Sequence, residues 1–289
     1  MAFADAPPIT LEMLVDRTST VYSLPLFYDR LNEAINHPRT SVNDIARIIT
    51  EDQGLTARLL RLANSPMFGW FGKVDSINRA VTIIGTQQLR DLALAASVMG
   101  VFRGIPPELM DMPGFWRHSI ACGIIARTLA VWRRDSNVER FFVAGMLHDV
   151  GQIIMAVAVP DLVRDILVES RETAELLQVR ERQRLGFDHA DAGSALLKAW
   201  KIPANIVEPV ECHHRPGRAE QYPLEAATVH LADIICQAME YGRGGEWCVP
   251  PLEDEAWQRL DAPISMLATV LKQAESQIDD TFTILSEEP

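Results

Sequence analysis

At 289 residues, the chain is long enough for one large domain or two lobes around a sizeable core. Its 48% apolar and 23% charged residues are an ordinary globular composition and exclude wholesale disorder. A formal net charge of −12 argues against gripping nucleic acid by broad phosphate neutralisation, so no direct nucleic-acid binding is expected.

The four cysteines, Cys122, Cys212, Cys236 and Cys248, form no C-x-x-C pair and read as free thiols of a reducing cytosol. The N-terminal MAFADAPPIT has neither a basic nor an apolar signal region. No run approaches about 18 uninterrupted apolar residues, so no membrane span and a cytoplasmic location are expected.

Helical spacing recurs along the whole chain, and no stretch alternates for long, which predicts an all-α fold. A short helix is expected over 8–20. A second opens at Leu24-Pro25 and points Leu26, Phe27, Leu31 and Ile35 inward. Ser41 caps a third and Asp52 a fourth, which fails at Asn64-Ser65-Pro66 because proline disfavours helix in the residue before it. Residues 67–75 read as a loop whose Trp70 and Phe71 either form an exposed docking surface or are buried between lobes. Ser76 caps a helix ending near Gly85, and Thr86 starts another that stops before Gly104-Ile105-Pro106-Pro107. That Pro/Gly segment marks the lobe boundary, giving an N-terminal extension over 1–20 and lobes over 21–105 and 106–242.

The second lobe opens with a long helix near Pro113 that carries His118. An apolar helix then bears His148-Asp149, flanked by Gly145 and Gly151. Charged helices follow over 161–170 and 171–185, then helices over 188–200, from Pro203 to His213-His214, and over 222–241. A loop and a terminal helix occupy 243–289. The spacing of Ile264, Leu267, Leu271, Ala274, Ile278 and Leu285 fits either packing on the chain's own domain or self-pairing into a homodimer.

Burying the His148-Asp149 pair in an apolar run is costly unless it is hydrogen-bonded or metal-bound. Imidazole and carboxylate ligands suit Zn, Fe or Mn. A two-metal centre needs about seven protein ligands, one carboxylate bridging the ions. His118, His148, Asp149, His189, His213, His214 and Asp233 make seven. Taken singly, each helix-borne histidine reads equally as a hydrogen-bonded core residue, and His213-His214 as a favourable charge at a helix C-terminus. His230 shares a helix face with Asp233 and reads as a ligand's partner, an eighth ligand or a core histidine. His37 stands apart in a polar turn.

The order H…HD…H…HH…D resembles the HD superfamily of metal-dependent phosphohydrolases. Leu24-Pro25, ARIITED (46–52), LTARLLRLANS (55–65), SINRAVTIIG (76–85), WRHS (116–119), AGMLHDVG (144–151) and HADAG (189–193) resemble the HDOD family, a bacterial branch of HD-related output domains. The likeness covers roughly residues 20–240. It implies an all-α fold in which an N-terminal helical lobe packs on an HD-like lobe. It also implies a signalling or regulatory module that acts through protein partners or a small nucleotide ligand, without substantial turnover.

The alternative the resemblance carries is a binuclear phosphohydrolase or phosphodiesterase acting on a nucleotide or cyclic nucleotide. His118, His148, Asp149 and Asp233 would then hold one divalent ion (Fe, Mn or Zn), and Asp149, His189, His213 and His214 the other. Asp149 would be the catalytic candidate. Lys201, Arg117 or Arg215 would meet phosphate, or else are solvated surface charges. The chain departs from the active cyclic-di-GMP hydrolases of the superfamily in having Gln152 where they carry lysine, and in lacking their GYP element after His213-His214.

Overall fold

The structure is a computed structural model that describes residues 9–19, 22–69, 72–242 and 245–287. Among these residues there are helices and no strands. Trp70 and Phe71, read as either a docking surface or buried between the lobes, lie outside the described residues.

The N-terminal lobe follows its caps closely. After α1 (Leu11–Ser19) and α2 (Leu26–Asn36), Ser41 and Asp44 form a reciprocal capping box that starts α3 (Val42–Thr50). The Asp52 side chain accepts from the Leu55 N–H at 2.9 Å and starts α4 (Gln53–Ala63). Ser76 caps α5 (Ile77–Ile84). Gly85, at φ +97°, makes the sharp corner into α6 (Thr86–Val101) that a side-chain-bearing residue would resist. Ile45, Ile49, Leu55, Leu59, Leu62, Val81 and Leu89 are buried among these helices.

The second lobe is built on α7 (Met112–Arg133) and α8 (Glu139–Leu147), its most extensively packed pair. Their backbones meet at Gly123 and Gly145: a Cβ on Gly145 would stand 2.8 Å from the Gly123 Cα. There follow α9 (Val150–Ala158), α10 (Pro160–Thr173), α11 (Leu177–Leu185), α12 (His189–Ala199), α13 (Ala204–Cys212), a 3-10 turn (Pro216–Arg218) and α14 (Pro223–Ala238). The stretch Glu139–Ala158 is long and apolar enough to cross a membrane by length and composition, yet 89% of its most apolar window is buried inside the protein. Phe141, Phe142, Leu147, Ile153 and Ile154 are fully covered there. Each such side chain stabilises the fold by about 1.5–3 kcal/mol relative to exposure.

Two expected helix boundaries move. Arg171–Thr173 complete α10 instead of opening the next helix, because Ala174 turns left-handed at φ +57° and its N–H bonds back to the Ser170 carbonyl. The helix expected to carry His148-Asp149 is interrupted at those two residues, which form a turn between α8 and α9.

The lobes share one continuous core. Arg127 on α7 ties them together: its guanidinium donates to the Met67 carbonyl at 2.9 Å and to Glu139 at 3.1 Å, and stacks 4.9 Å from the Phe68 ring centre. The C-terminal extension, α15 (Asp254–Leu260) and α16 (Met266–Ser286), packs back on the same molecule. Met266, Val270, Ala274, Ile278, Thr281 and Leu285 are buried against α7, α4 and α6, whereas Ile264 is 75% exposed. The apolar stripe of α16 is therefore used within the chain.

Candidate metal centre

All seven sequence-predicted residues converge on one point between α7, α9, α12, α13 and α14, and none is more than 8% exposed. Local structure explains how each arrives. Asp188 caps α12 through a capping box with Asp191, which sets His189 as its first residue. α13 ends at Cys212, so His213 and His214 lie just past it and turn inward. Asp233 sits about two-thirds of the way along α14.

The break at His148-Asp149 lets adjacent residues face the same centre, which an unbroken helix, with 100° between neighbours, would oppose. Gly151 completes the arrangement. A Cβ there would stand 1.9 Å from the His189 carbonyl oxygen and 2.6 Å from the Gly193 nitrogen, so only glycine lets α9 approach α12 this closely. That approach brings the Asp149 carboxylate across to His189.

Asp149 is the central group. Its Oδ2 lies 3.2 Å from His148 Nε2 and 3.8 Å from His118 Nε2, while its Oδ1 lies 3.2 Å from His189 Nε2 and 3.8 Å from His213 Nε2. One carboxylate thus addresses two halves of the cluster, one oxygen to each. Asp233 Oδ1 joins the first half, 3.2 Å from His118 Nε2 and 3.6 Å from His148 Nε2. In the second half, His214 Nε2 lies 2.7 Å from His189 Nε2.

The outward nitrogens are spoken for. His118 Nδ1 faces the Tyr241 carbonyl at 3.2 Å, and His148 Nδ1 the Gly145 carbonyl at 2.7 Å. His213 Nδ1 faces the Val210 carbonyl at 2.7 Å, and His189 Nδ1 the Glu181 carboxylate at 2.6 Å. An acceptor at Nδ1 fixes the proton there and leaves the Nε2 lone pair aimed at the centre. The Nε2 atoms of His118, His148 and His213 and Oδ1 of Asp233 are buried and make no hydrogen bond. Leaving buried polar atoms unpaired costs about 1–3 kcal/mol each, so four converging at one point mark a place built for something else.

A metal ion fits that description. Donor atoms of His118-His148-Asp233, of His148-Asp149-His213 and of His189-His213-His214 lie within 4.8 Å of one another in each group, a span that bonds of about 2.0–2.2 Å to a common ion bring together. The donor set of imidazoles and carboxylates suits Zn, Fe or Mn.

Charge is arranged accordingly. Burial works against ionisation of Asp149 and Asp233, yet the surrounding histidines, His148 foremost for Asp149 and His118 and His148 for Asp233, hold both carboxyls well below their usual range. Burial likewise opposes charge on His148 and His189, but Asp149 holds His148, and Glu181 with Asp149 holds His189, well above the ordinary imidazole value. Burial and the neighbouring histidines depress His213 to about 4 and push His214 well down.

Of the remaining sequence candidates, His230 is a partner and not one of the converging donors: its Nδ1 donates to the His213 carbonyl at 2.7 Å, and its Nε2 accepts the Glu253 N–H at 3.0 Å. Arg117 turns away to Asp279 at 2.7 Å, Lys201 is exposed, and Arg215 reaches the buried Asp188 at 3.5 Å. None of the three is placed among the converging donors. Sequence reasoning missed Glu181, which is 3% exposed and also accepts the His189 backbone N–H at 2.9 Å. Its only sequence signal was an acid eight residues before a candidate histidine, in a helix that otherwise reads as a solvated charged face. Gln152 is 7% exposed on α9, beneath Gly245: a Cβ on that glycine would meet Gln152 Oε1 at 2.9 Å.

The chain is similar to several known proteins. A solved structure from Shewanella amazonensis SB2B, described as a "Putative phosphohydrolase", is 25% identical, with a TM-score of 0.74 over 95% of this chain and 98% of its own. An HDOD domain protein with unknown function from Geobacter sulfurreducens is 24% identical, with a TM-score of 0.73 over 96% and 97% of the two chains, and shows the same fold. An uncharacterized protein of Treponema pallidum (strain Nichols) is 25% identical over 274 residues, which are 94% of this chain but only 50% of that protein, so the chain spans about half the length of this relative. The family model for the HDOD domain matches residues 21–216, more than half of the sequence, and the chain belongs to the HDOD family.

Proposed function

We propose that this chain is a metal-holding HDOD module of bacterial signalling, acting through protein partners or a small ligand, without substantial turnover. The observation that carries this reading is that the seven donors converge in a closed space. A hydrolase needs its bridging oxygen, a substrate phosphorus and an in-line leaving group to meet at the ions, whereas here every donor is at most 8% exposed. Gln152 packs beneath Gly245, and two of the side chains expected to meet phosphate pair elsewhere, Arg117 with Asp279 and Arg215 with Asp188. His118, His148, Asp149 and Asp233 would hold one ion and Asp149, His189, His213 and His214 the other, with Asp149 shared between them. Such ions would join α7, α9, α12, α13 and α14 and make their packing dependent on metal.

A second reading, a metal-dependent phosphohydrolase, draws on the completeness of the donor set and on the printed description of the Shewanella amazonensis protein. A bound pair of ions would supply a metal-activated water; this chain's part would be to hold it against Asp149. One paired measurement separates the readings: elemental analysis of the purified chain, and hydrolysis assays on cyclic dinucleotides, nucleotides and a generic phosphodiester with iron, manganese or zinc supplied. We expect bound metal that Asp149→Ala loses, and turnover far below about 1 per second. Turnover at that rate or above, abolished by Asp149→Ala, would overturn the first reading in favour of the second.

A further inference from the structure

We propose that residues 245–253, between α14 and α15, are a hinged strap that gates the buried donor cluster. The inference deepens the metal-centre reading and rests on it only for what the gate admits. Its position comes from contacts at both ends and in the middle. Upstream, Gly242 lies against α7 at His118: a Cβ there would meet the Gly114 carbonyl at 2.3 Å and the His118 nitrogen at 2.5 Å. The adjoining Tyr241 carbonyl orients the His118 ring. In the middle, Glu246 accepts the Leu177 N–H at 3.1 and 3.2 Å, which caps α11, and the Trp247 indole N–H donates to the Glu175 carbonyl at 2.8 Å. Downstream, the Glu253 N–H closes on His230. Gly245 lies on Gln152, three residues from Asp149 along α9.

Three features make this segment a gate and not simply more wall. Its fastenings are a few hydrogen bonds, and of its residues only Pro250 is buried. Trp247 is 42% exposed, Val249 49% and Leu252 39%, whereas the helices around the donors are sealed. Such segments open at far lower free energy than a packed core. Its upstream end is jointed: Glu240, Gly242 and Gly245 have φ of +56°, +72° and +83°, and changes in a few backbone angles at such joints suffice for hinge motion. It also has room to move, since a cleft of about 470 Å³ lies between the end of α14 and the strap, lined by Gln237, Glu240, Gly242, Glu246, Trp247 and Cys248. A centre this deeply buried needs a way in for its ligand, and the strap is the cover held by the weakest fastenings.

The test compares the parent chain with Glu246→Ala/Trp247→Phe, which removes the two middle fastenings. Deuterium exchange is followed over 239–253 and over α7–α9. Access to the centre is read in metal-free protein as carbethoxylation of His118 and His213, and in metal-loaded protein as the rate of metal transfer to a chromogenic chelator. The proposal expects 239–253 in the parent to exchange well before α7–α9. In the double variant, labelling and metal transfer should speed up about tenfold or more while α7–α9 stay protected. Unchanged access, or access that rises only together with exchange throughout α7–α9, would overturn it. A chain that proves to bind no metal removes the metal-centre reading but leaves the carbethoxylation result, and so the gate, separately decided.

Discussion

Among single residues, Glu181 has the most to say about how the cluster is held. It takes both N–H groups that His189 offers away from the centre, at 2.9 and 2.6 Å, and so fixes the ring's plane and proton. Outer carboxylates of this kind raise the basicity of a ligating imidazole. Glu181→Gln keeps an acceptor oxygen but removes the charge, and is expected to weaken metal affinity by about 10–100-fold in a competitive metal titration. A titration unchanged by the substitution would leave Glu181 a role in packing alone. Glu246 gives a prediction in pH. Burial pushes its carboxyl up to about 7 from 4.5, with His189 lowering it and Asp233 and Asp149 raising it further, and the Leu177 N–H favouring the charged form. The folded chain therefore binds this proton more tightly than the unfolded chain. The resulting stability is fully present below about pH 4.5 and is lost as pH rises through 7. In metal-free protein, the melting temperature of the parent should fall relative to that of Glu246→Gln across that window, and a constant difference would contradict the assignment.

At the scale of elements, the decisive contact is the crossing of α9 and α12. Gly151 sits where a Cβ would overlap the His189 carbonyl oxygen at 1.9 Å, and neither backbone can give way without moving a donor. Gly151→Ala is expected to destabilise the fold by about 3 kcal/mol, the upper part of the overpacking range, in urea titrations, and to lower metal content. Gly100→Ala is the matched contrast, because a Cβ there meets nothing within 4 Å on an exposed turn of α6. It should be neutral or stabilising by about 0.5–1 kcal/mol. The turn at His148-Asp149 belongs to this scale too. It trades two residues of helix for a carboxylate that reaches both halves of the cluster.

For the whole molecule, the donors come from three helices, α7, α12 and α14, and from the turns that follow α8 and α13, with the buried stripe of α16 packed on α7 from outside. Metal should therefore act as a staple for the tertiary structure. Removal by chelation is expected to lower the melting temperature by several degrees, since a ligand at 100 times its Kd contributes about 2.7 kcal/mol. Re-addition of zinc, iron or manganese should restore it, and Asp149→Ala should abolish the recovery. A melting temperature indifferent to chelator, in protein shown to contain metal, would contradict this coupling.

The sequence by itself determined most of the helices and several of their caps, and it singled out the seven residues that the fold brings together. Those signals are local: Ser41, Asp52 and Ser76 each accept a backbone N–H three residues on, and apolar spacing marks most of the face that turns inward, although Leu26, expected there, is 81% exposed. Chain order sufficed for the donors because the HD pattern is spread over motifs that can be read one at a time. Only the tertiary structure decided that Glu181 and not His230 orients a donor ring, that Arg117 turns away to Asp279, and that Gly245 lies on Gln152. All but the Glu181 contact, which spans eight residues, depend on where one backbone passes another tens of residues away. Glu181 and a solvated glutamate have the same local sequence signal, and only the turn at Gly186 that folds α11 against the start of α12 makes one of them the partner of His189.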